Sequence, residues 1–200
     1  MAALKCRYRA LYRSVGLESK TGGFYSDITQ LENFEKSTDL QVGQSIFVQL
    51  NCMEDEKQKY KEYFEKIVKK EKSIKVLTTI PGVSTVRACT IAAAVCSPER
   101  FENKYKFWSY CMLVRHDLKS GGKKYGSKRV RARADLKDVF MGAAETVLKH
   151  SEPSSLRKYY DRLRSKGVDH QKAKKSVARK IAASSLRLMR TGEKFNDKLI

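Results

Sequence analysis

The run 76-VLTTIPGVSTVRACTIAAAV-95 decides how the rest of the chain is read. Val76 and Leu77 belong to a short apolar helix, Pro81-Gly82 interrupts it, and small residues from about Ser84 carry a second helical run to Val95. A helix, a tight glycine turn and another helix suit a helix-hairpin-helix, in which backbone N–H groups at the start of the second helix meet a phosphate without reading a base. Gly82 and Ser84 are then the phosphate-facing positions, with Ser84 standing where such a hairpin usually has its second glycine. A plain αα-hairpin inside a core accounts for the same residues equally well. Under either reading the fold class is mainly α.

Toward the amino terminus, proline-free sequence from about Thr38 to Lys72 places Ile46, Leu50, Met53, Tyr60, Phe64 and Ile67 in steps of four, three, seven, four and three. That spacing predicts a long, coiled-coil-like helix with a narrow apolar seam. The seam serves either a second copy of the chain or the helix's own domain. Before it, Leu4, Tyr8, Leu11 and Val15 mark a short basic helix closed by Gly16, and Ser26 or Asp27 is placed to cap the element after the glycine-bearing connection.

Toward the carboxy terminus, Phe101, Tyr105, Phe107, Trp108 and Tyr110 are set among cations; Phe101, Phe107 and Trp108 are read as core, although such rings also stack on bases. Next comes the stretch 116-HDLKSGGKKYG-126, in which Ser120 stands beside Gly121 and Gly122 with Lys119, Lys123 and Lys124 around it. By residue type alone Ser-Gly-Gly-Lys is a linker. Short strands are compatible with residues 110–130. Lys128, Arg129, Arg131 and Arg133 then form a run suited to phosphates, each neutralised phosphate releasing counterions. Three helical blocks complete the chain: Pro153-Ser154 opens the second, Gly167 closes it, and Gly192 closes the third. In the last block Ala173, Val177, Ile181, Ser184 or Ser185, and Leu188 oppose Lys174, Lys175, Arg179 and Lys180, giving one packing face and one basic face. The expected organisation is a basic helix, linker and long helix over residues 1–75, a compact helical domain over 76–192 holding the hairpin and the serine loop, and a tail over 193–200.

Forty-two Lys and Arg against 22 Asp and Glu leave a net charge of +20, about +4 in the first hundred residues and about +16 in the second. Such an excess calls for a polyanionic partner, nucleic acid or an anionic membrane surface. No apolar run is long enough to span a bilayer, and 1-MAALKCRYRA-10 is too charged for the core of a signal peptide, so the expected location is the cytoplasm. Five cysteines without a CxxC pair are read as reduced thiols, with Cys89 and Cys96 as buried small hydrophobes, and no metal site is assigned. Asp27, Glu32, Glu35 and Asp39 are read as solvated acids.

Taken in order, 80-IPGVSTVRACTIAAAV-95, 112-MLVRHDLKSGGKKYG-126, 133-RADLKDVFMGAAETVL-148 and 156-LRKYYDRLRSKGVDHQKAKKSVARKIA-182 resemble the carboxy-terminal transposase domain of the Piv/MooV insertion-sequence transposases. These are the bridge-RNA-guided serine recombinases of insertion-sequence family one-ten. The resemblance covers residues 76–192 and implies that Ser120 is a nucleophile that attacks a DNA phosphodiester and holds one end as a phosphoserine. A serine hydroxyl needs a base, a metal or charge stabilisation at the phosphorus, and glycine amides with neighbouring lysines supply the last of these. It further implies DNA as substrate, a guide RNA, a prokaryotic nucleoid-associated setting, and magnesium held by four acidic residues of a RuvC-like domain, while self-association through residues 38–72 is expected from the apolar seam itself. No such acidic cluster is recognised in this sequence, so the expectation is a truncated or split recombinase, inactive as an isolated chain and carrying no cofactor of its own. His116 and Asp117 are weighed as base and orienter for Ser120 against a surface role; His150 and His170 receive none. The competing functions are a non-enzymatic DNA- or RNA-binding protein and an oligomerising regulator of a full-length transposase.

Overall fold

The computed structural model describes residues 1–18, 24–129, 132–149 and 154–197. It is mainly helical, with one two-stranded sheet among the described residues. In chain order the elements are α1 (Ala2–Ser14), α2 (Ser37–Lys70), α3 (Lys72–Leu77), α4 (Thr85–Val95), α5 (Lys104–Tyr110), β1 (Arg115–Ser120), β2 (Lys123–Arg129), α6 (Ala134–Lys149), α7 (Ser155–Ser165) and α8 (His170–Thr191). Short 3-10 turns occupy Ile28–Asn33 and Pro98–Arg100. The chain divides into two compact units, Met1–Tyr63 and Phe64–Ile200, with the division inside α2.

The first unit is built on aromatic residues. Tyr8 and Tyr12 of α1 meet edge to face with centroids 5.0 Å apart and share a hydroxyl–hydroxyl hydrogen bond of 3.2 Å. Phe24, Leu31, Phe34, Phe47 and Leu50 complete their core. Tyr12 lies off the spacing expected for α1, whereas Val15, on that spacing, is exposed. Gly16, in the left-handed region, comes after the helix as expected, and Asp27 caps the 3-10 turn by accepting from the Thr29 amide at 3.1 Å. Gly43 lets α2 approach closely, since a Cβ there would stand 2.9 Å from Leu31 Cδ2.

The apolar seam of α2 does not run against one neighbour. Leu50 is 3% exposed and Ile46 packs beside it on the first unit's core, while Met53 and Tyr60 are 44% and 60% exposed. Phe64 and Ile67, half-buried, belong to the second unit.

In the second unit α8 is the central helix, packing against α3, α5, α6 and α7. Ala173, Val177, Ala178, Ile181, Ala182 and Leu186 enter the core, where Ser185 is buried and satisfied by donating to the Ile181 carbonyl at 2.9 Å. The helix ends match their sequence signals: Asp169 accepts from the Gln171 and Lys172 amides, Ser154 accepts from the Arg157 amide, and Gly167 and Gly192 take left-handed conformations. Pro153 and His150 lie outside the described residues. The described part of the segment expected as a tail, residues 193–197, is tied down, with the Phe195 amide donating to Thr79 Oγ1 at 2.9 Å and Asp197 accepting from Ser155. Cys89 is buried as expected; Cys96, at the end of α4 with φ 56, is exposed.

The serine hairpin and the basic surface

Ser120 is the last residue of β1 and pairs with Lys123, the first of β2, across Gly121-Gly122. Both glycines have positive φ, 54 and 75, which defines a two-residue type I′ turn. The expected Ser-Gly-Gly loop is thus the tip of an antiparallel hairpin, and nothing lies within 4 Å of a Cβ built on either glycine. Lys119 pairs with Lys124 and Leu118 with Gly126, which leaves Tyr125 as the extra residue of a β-bulge, 68% exposed.

The tip therefore exposes Ser120 among Lys119, Lys123 and Lys124. Two lysines directly opposite each other repel, and an anion at the tip relieves that repulsion. Part of the relief is internal: Asp117 binds Lys124 Nζ at 2.7 Å, and that hydrogen bond holds the Asp117 carboxyl below the usual carboxylate range. His116 pairs with Lys128 at the other end of the ladder. Four residues along a strand separate it from Ser120 by about 13 Å, beyond direct proton transfer. Among the described residues, no side chain is hydrogen-bonded to Ser120.

The remaining basic candidates divide by what they touch. Lys128 is exposed. Arg129 forms the end of the ladder opposite Arg115, and Arg131 lies outside the described residues. Arg133 is engaged at the start of α6, where Nε reaches Asp135 Oδ1 at 2.9 Å and Nη2 reaches Oδ2 at 2.6 Å. That fork holds the Asp135 carboxyl at about 2.

The Pro81-Gly82 turn is packed rather than open. Gly82 has φ 81, and a Cβ there would fall on the Ala143 carbonyl oxygen and within 3.0 Å of Val147 Cγ2. Arg87 Nη1 donates to the Gly82 carbonyl at 2.7 Å and to Thr146 Oγ1 at 2.9 Å. Arg87 also lies where a Cβ on Gly142 would stand, 3.0 Å from its Nη2. No local sequence signal marks this role for Arg87, because Thr146 is 59 residues away. Ser84 precedes α4, exposed and with no side-chain bond to the helix start.

Among the described residues, no group of three or more His, Cys, Asp or Glu comes together to hold a metal. No helix among them is long and apolar enough to cross a membrane. Residues 74–161 match the family model for the Transposase IS116/IS110/IS902 family, a stretch that begins in α3, contains the serine hairpin and reaches into α7. Curated proteins give no match.

Proposed function

We propose that the chain, whose residues 74–161 match the IS116/IS110/IS902 transposase family, acts in DNA transposition or site-specific recombination with Ser120 as the nucleophile. The carrying observation is that the matched stretch encloses an exposed hairpin whose tip offers one serine hydroxyl among three lysines. In the proposed step the Ser120 hydroxyl loses its proton to a base, an Oγ–P bond forms, and the bond from phosphorus to the leaving sugar oxygen breaks. That oxygen takes up a proton. The phosphoserine keeps the energy of the phosphodiester, so a second strand's hydroxyl can reverse the step and join a new end.

Lys119, Lys123 and Lys124 stabilise charge developing on the phosphoryl oxygens, and Gly121 and Gly122 let the backbone approach them. Lys128, Arg129 and Arg131 hold the flanking backbone, with Arg133 and the exposed Ser84 beside the packed Gly82 turn as secondary contacts. The reading includes a guide RNA and self-association through residues 38–72, where Met53, Tyr60 and Tyr63 are exposed. It sets the protein in the cytoplasm with the nucleoid. The base and the magnesium-binding carboxylates come from a RuvC-like domain outside these residues.

A second reading, DNA binding without covalent chemistry, is favoured by one observation: among the described residues no side chain is hydrogen-bonded to Ser120. The two separate in a denaturing gel of labelled insertion-end DNA incubated with the chain, a RuvC-like domain and magnesium. A denaturation-resistant adduct supports the recombinase; retained binding without an adduct supports the second reading.

A further inference from the structure

A groove of about 690 Å³ opens between α5 and α8, away from the serine hairpin in sequence and lined by different residues. Its charged lining consists of Lys104, Arg179, Lys180, Arg187 and Arg190 against the single carboxylate Glu102. Two of the cations are structural. Arg179 Nε donates to the Leu113 carbonyl at 2.9 Å, and Arg190 donates to the carbonyls of Pro98 and Phe101. Among the described residues, Lys104 and Lys180 have no carboxylate within ion-pair distance, and Arg187 has only a long, exposed ion pair, with Nη2 3.8 Å from Glu193 Oε2.

The aromatic residues are arranged with these cations. Tyr105 is 61% exposed and meets Trp108 edge to face, with centroids 5.2 Å apart. Lys104 Nζ lies 5.4 Å from the Tyr105 centroid and 5.9 Å from that of Trp108. Trp108 is fixed by donating from Nε1 to the Arg179 carbonyl at 2.9 Å. Farther along the lining, Lys180 Nζ lies 5.3 Å from the ring of Tyr159.

An exposed ring in a positively charged concavity has two things to offer, a face for stacking and cations for a backbone. Only an unpaired strand uses both, because the bases of a duplex are stacked on one another and present no free face. We infer that the α5–α8 groove binds single-stranded DNA, with a base stacked on Tyr105 and the backbone held by Lys104, Lys180 and Arg187. The choice of DNA rests on the transposase reading, since moving a strand requires holding it apart from its complement; the groove's preference for an unpaired strand rests on its own residues.

The test uses the full chain, in which Trp108 is the one tryptophan, so intrinsic fluorescence reports from the groove itself. A thymidine oligomer of about 12 nucleotides, the size one aromatic-lined groove spans, is titrated beside a duplex and a uridine RNA of equal length. The expected result is saturable quenching by the DNA single strand. Tyr105→Ala and the double change Lys104→Ala, Lys180→Ala each weaken it about tenfold or more, and duplex affinity changes less than about twofold. Tyr105 is exposed, so a circular dichroism melt matching the unaltered chain shows the variant folded. Ser120→Ala leaves the quenching unchanged, and quenching in a chain that forms no DNA adduct still supports the groove while the serine reading falls. Absence of quenching, an equal loss of duplex binding in Tyr105→Ala, or RNA bound about tenfold more tightly than DNA overturns the inference.

Discussion

Arg87 reaches back five residues to donate from Nη1 to the carbonyl oxygen of Gly82 at 2.7 Å, and the same nitrogen donates to Thr146 Oγ1 of α6. The proline–glycine turn is thereby pinned onto the helix that comes after the serine hairpin. A charged donor serving two acceptors in a half-buried position is worth more than a neutral bond. Arg87→Ala should destabilise the second unit by about 1.5 to 3 kcal/mol, measured by thermal or denaturant unfolding.

Gly82 gives a sharper test of the same packing. Gly82→Ala combines left-handed strain with overlap against the Ala143 carbonyl, a cost of about 2 to 4 kcal/mol. Gly167→Ala carries the same backbone strain with nothing within 4 Å of its Cβ and should cost about 1 kcal/mol. Equal melting temperatures for the two variants would mean that the turn is not packed against α6.

The two parts of the α2 stripe should respond differently to charge. Leu50→Glu puts a carboxylate into the first unit's core and should unfold that unit, because an unpaired buried charge costs several kcal/mol. Tyr60→Glu with Met53→Glu alters exposed positions and should leave the fold intact while shifting a self-associated chain to monomer in sedimentation. A monomeric unaltered chain at high concentration would remove self-association through α2.

Thiol reactivity should track burial. Cys6, Cys52 and Cys96 are exposed and should react with a disulfide reagent in the native chain. Cys89 and Cys111 should react only on unfolding, since burial both blocks access and pushes their thiols up.

Binding to DNA should weaken steeply with salt, because a net charge of +20 acts through phosphates. With six or more phosphates engaged, affinity falls by about 10³ or more between about 50 and 200 mM salt. A flat response in a filter-binding titration would exclude that mode.

Local chemistry made much of this fold legible. Asp169, Gly167 and Gly192 mark helix ends through their own side-chain or backbone preferences, and the stripe Ala173, Val177, Ile181, Leu188 shows which side of α8 is buried. Helical periodicity does not name the partner, so the seam through Leu50 and Tyr60 looked continuous although only its first part enters the first unit's core. The hairpin had a readable signal in Gly121-Gly122, two residues tolerant of positive φ between short runs, but 115-RHDLKS-120 lacks the apolar alternation that identifies a strand. Its strands are largely solvent-exposed, so burial never wrote that pattern. Long-range partners were the hardest to see: Arg87 with Thr146, and Trp108 with the Arg179 carbonyl 71 residues away.

Peptide mapping of the protein–DNA adduct shows which side chain is the nucleophile. The chain is incubated with labelled insertion-end DNA, a RuvC-like domain and magnesium, digested, and sequenced by mass spectrometry. With Ser120 as the nucleophile, one phosphonucleotide-bearing peptide carries the modification on Ser120 and is lost in Ser120→Ala while DNA affinity stays within about twofold, since one hydroxyl contributes little to a phosphate-dominated interface. An adduct that persists in Ser120→Ala, or one mapped to Ser84, Ser109 or Ser127, would contradict that assignment.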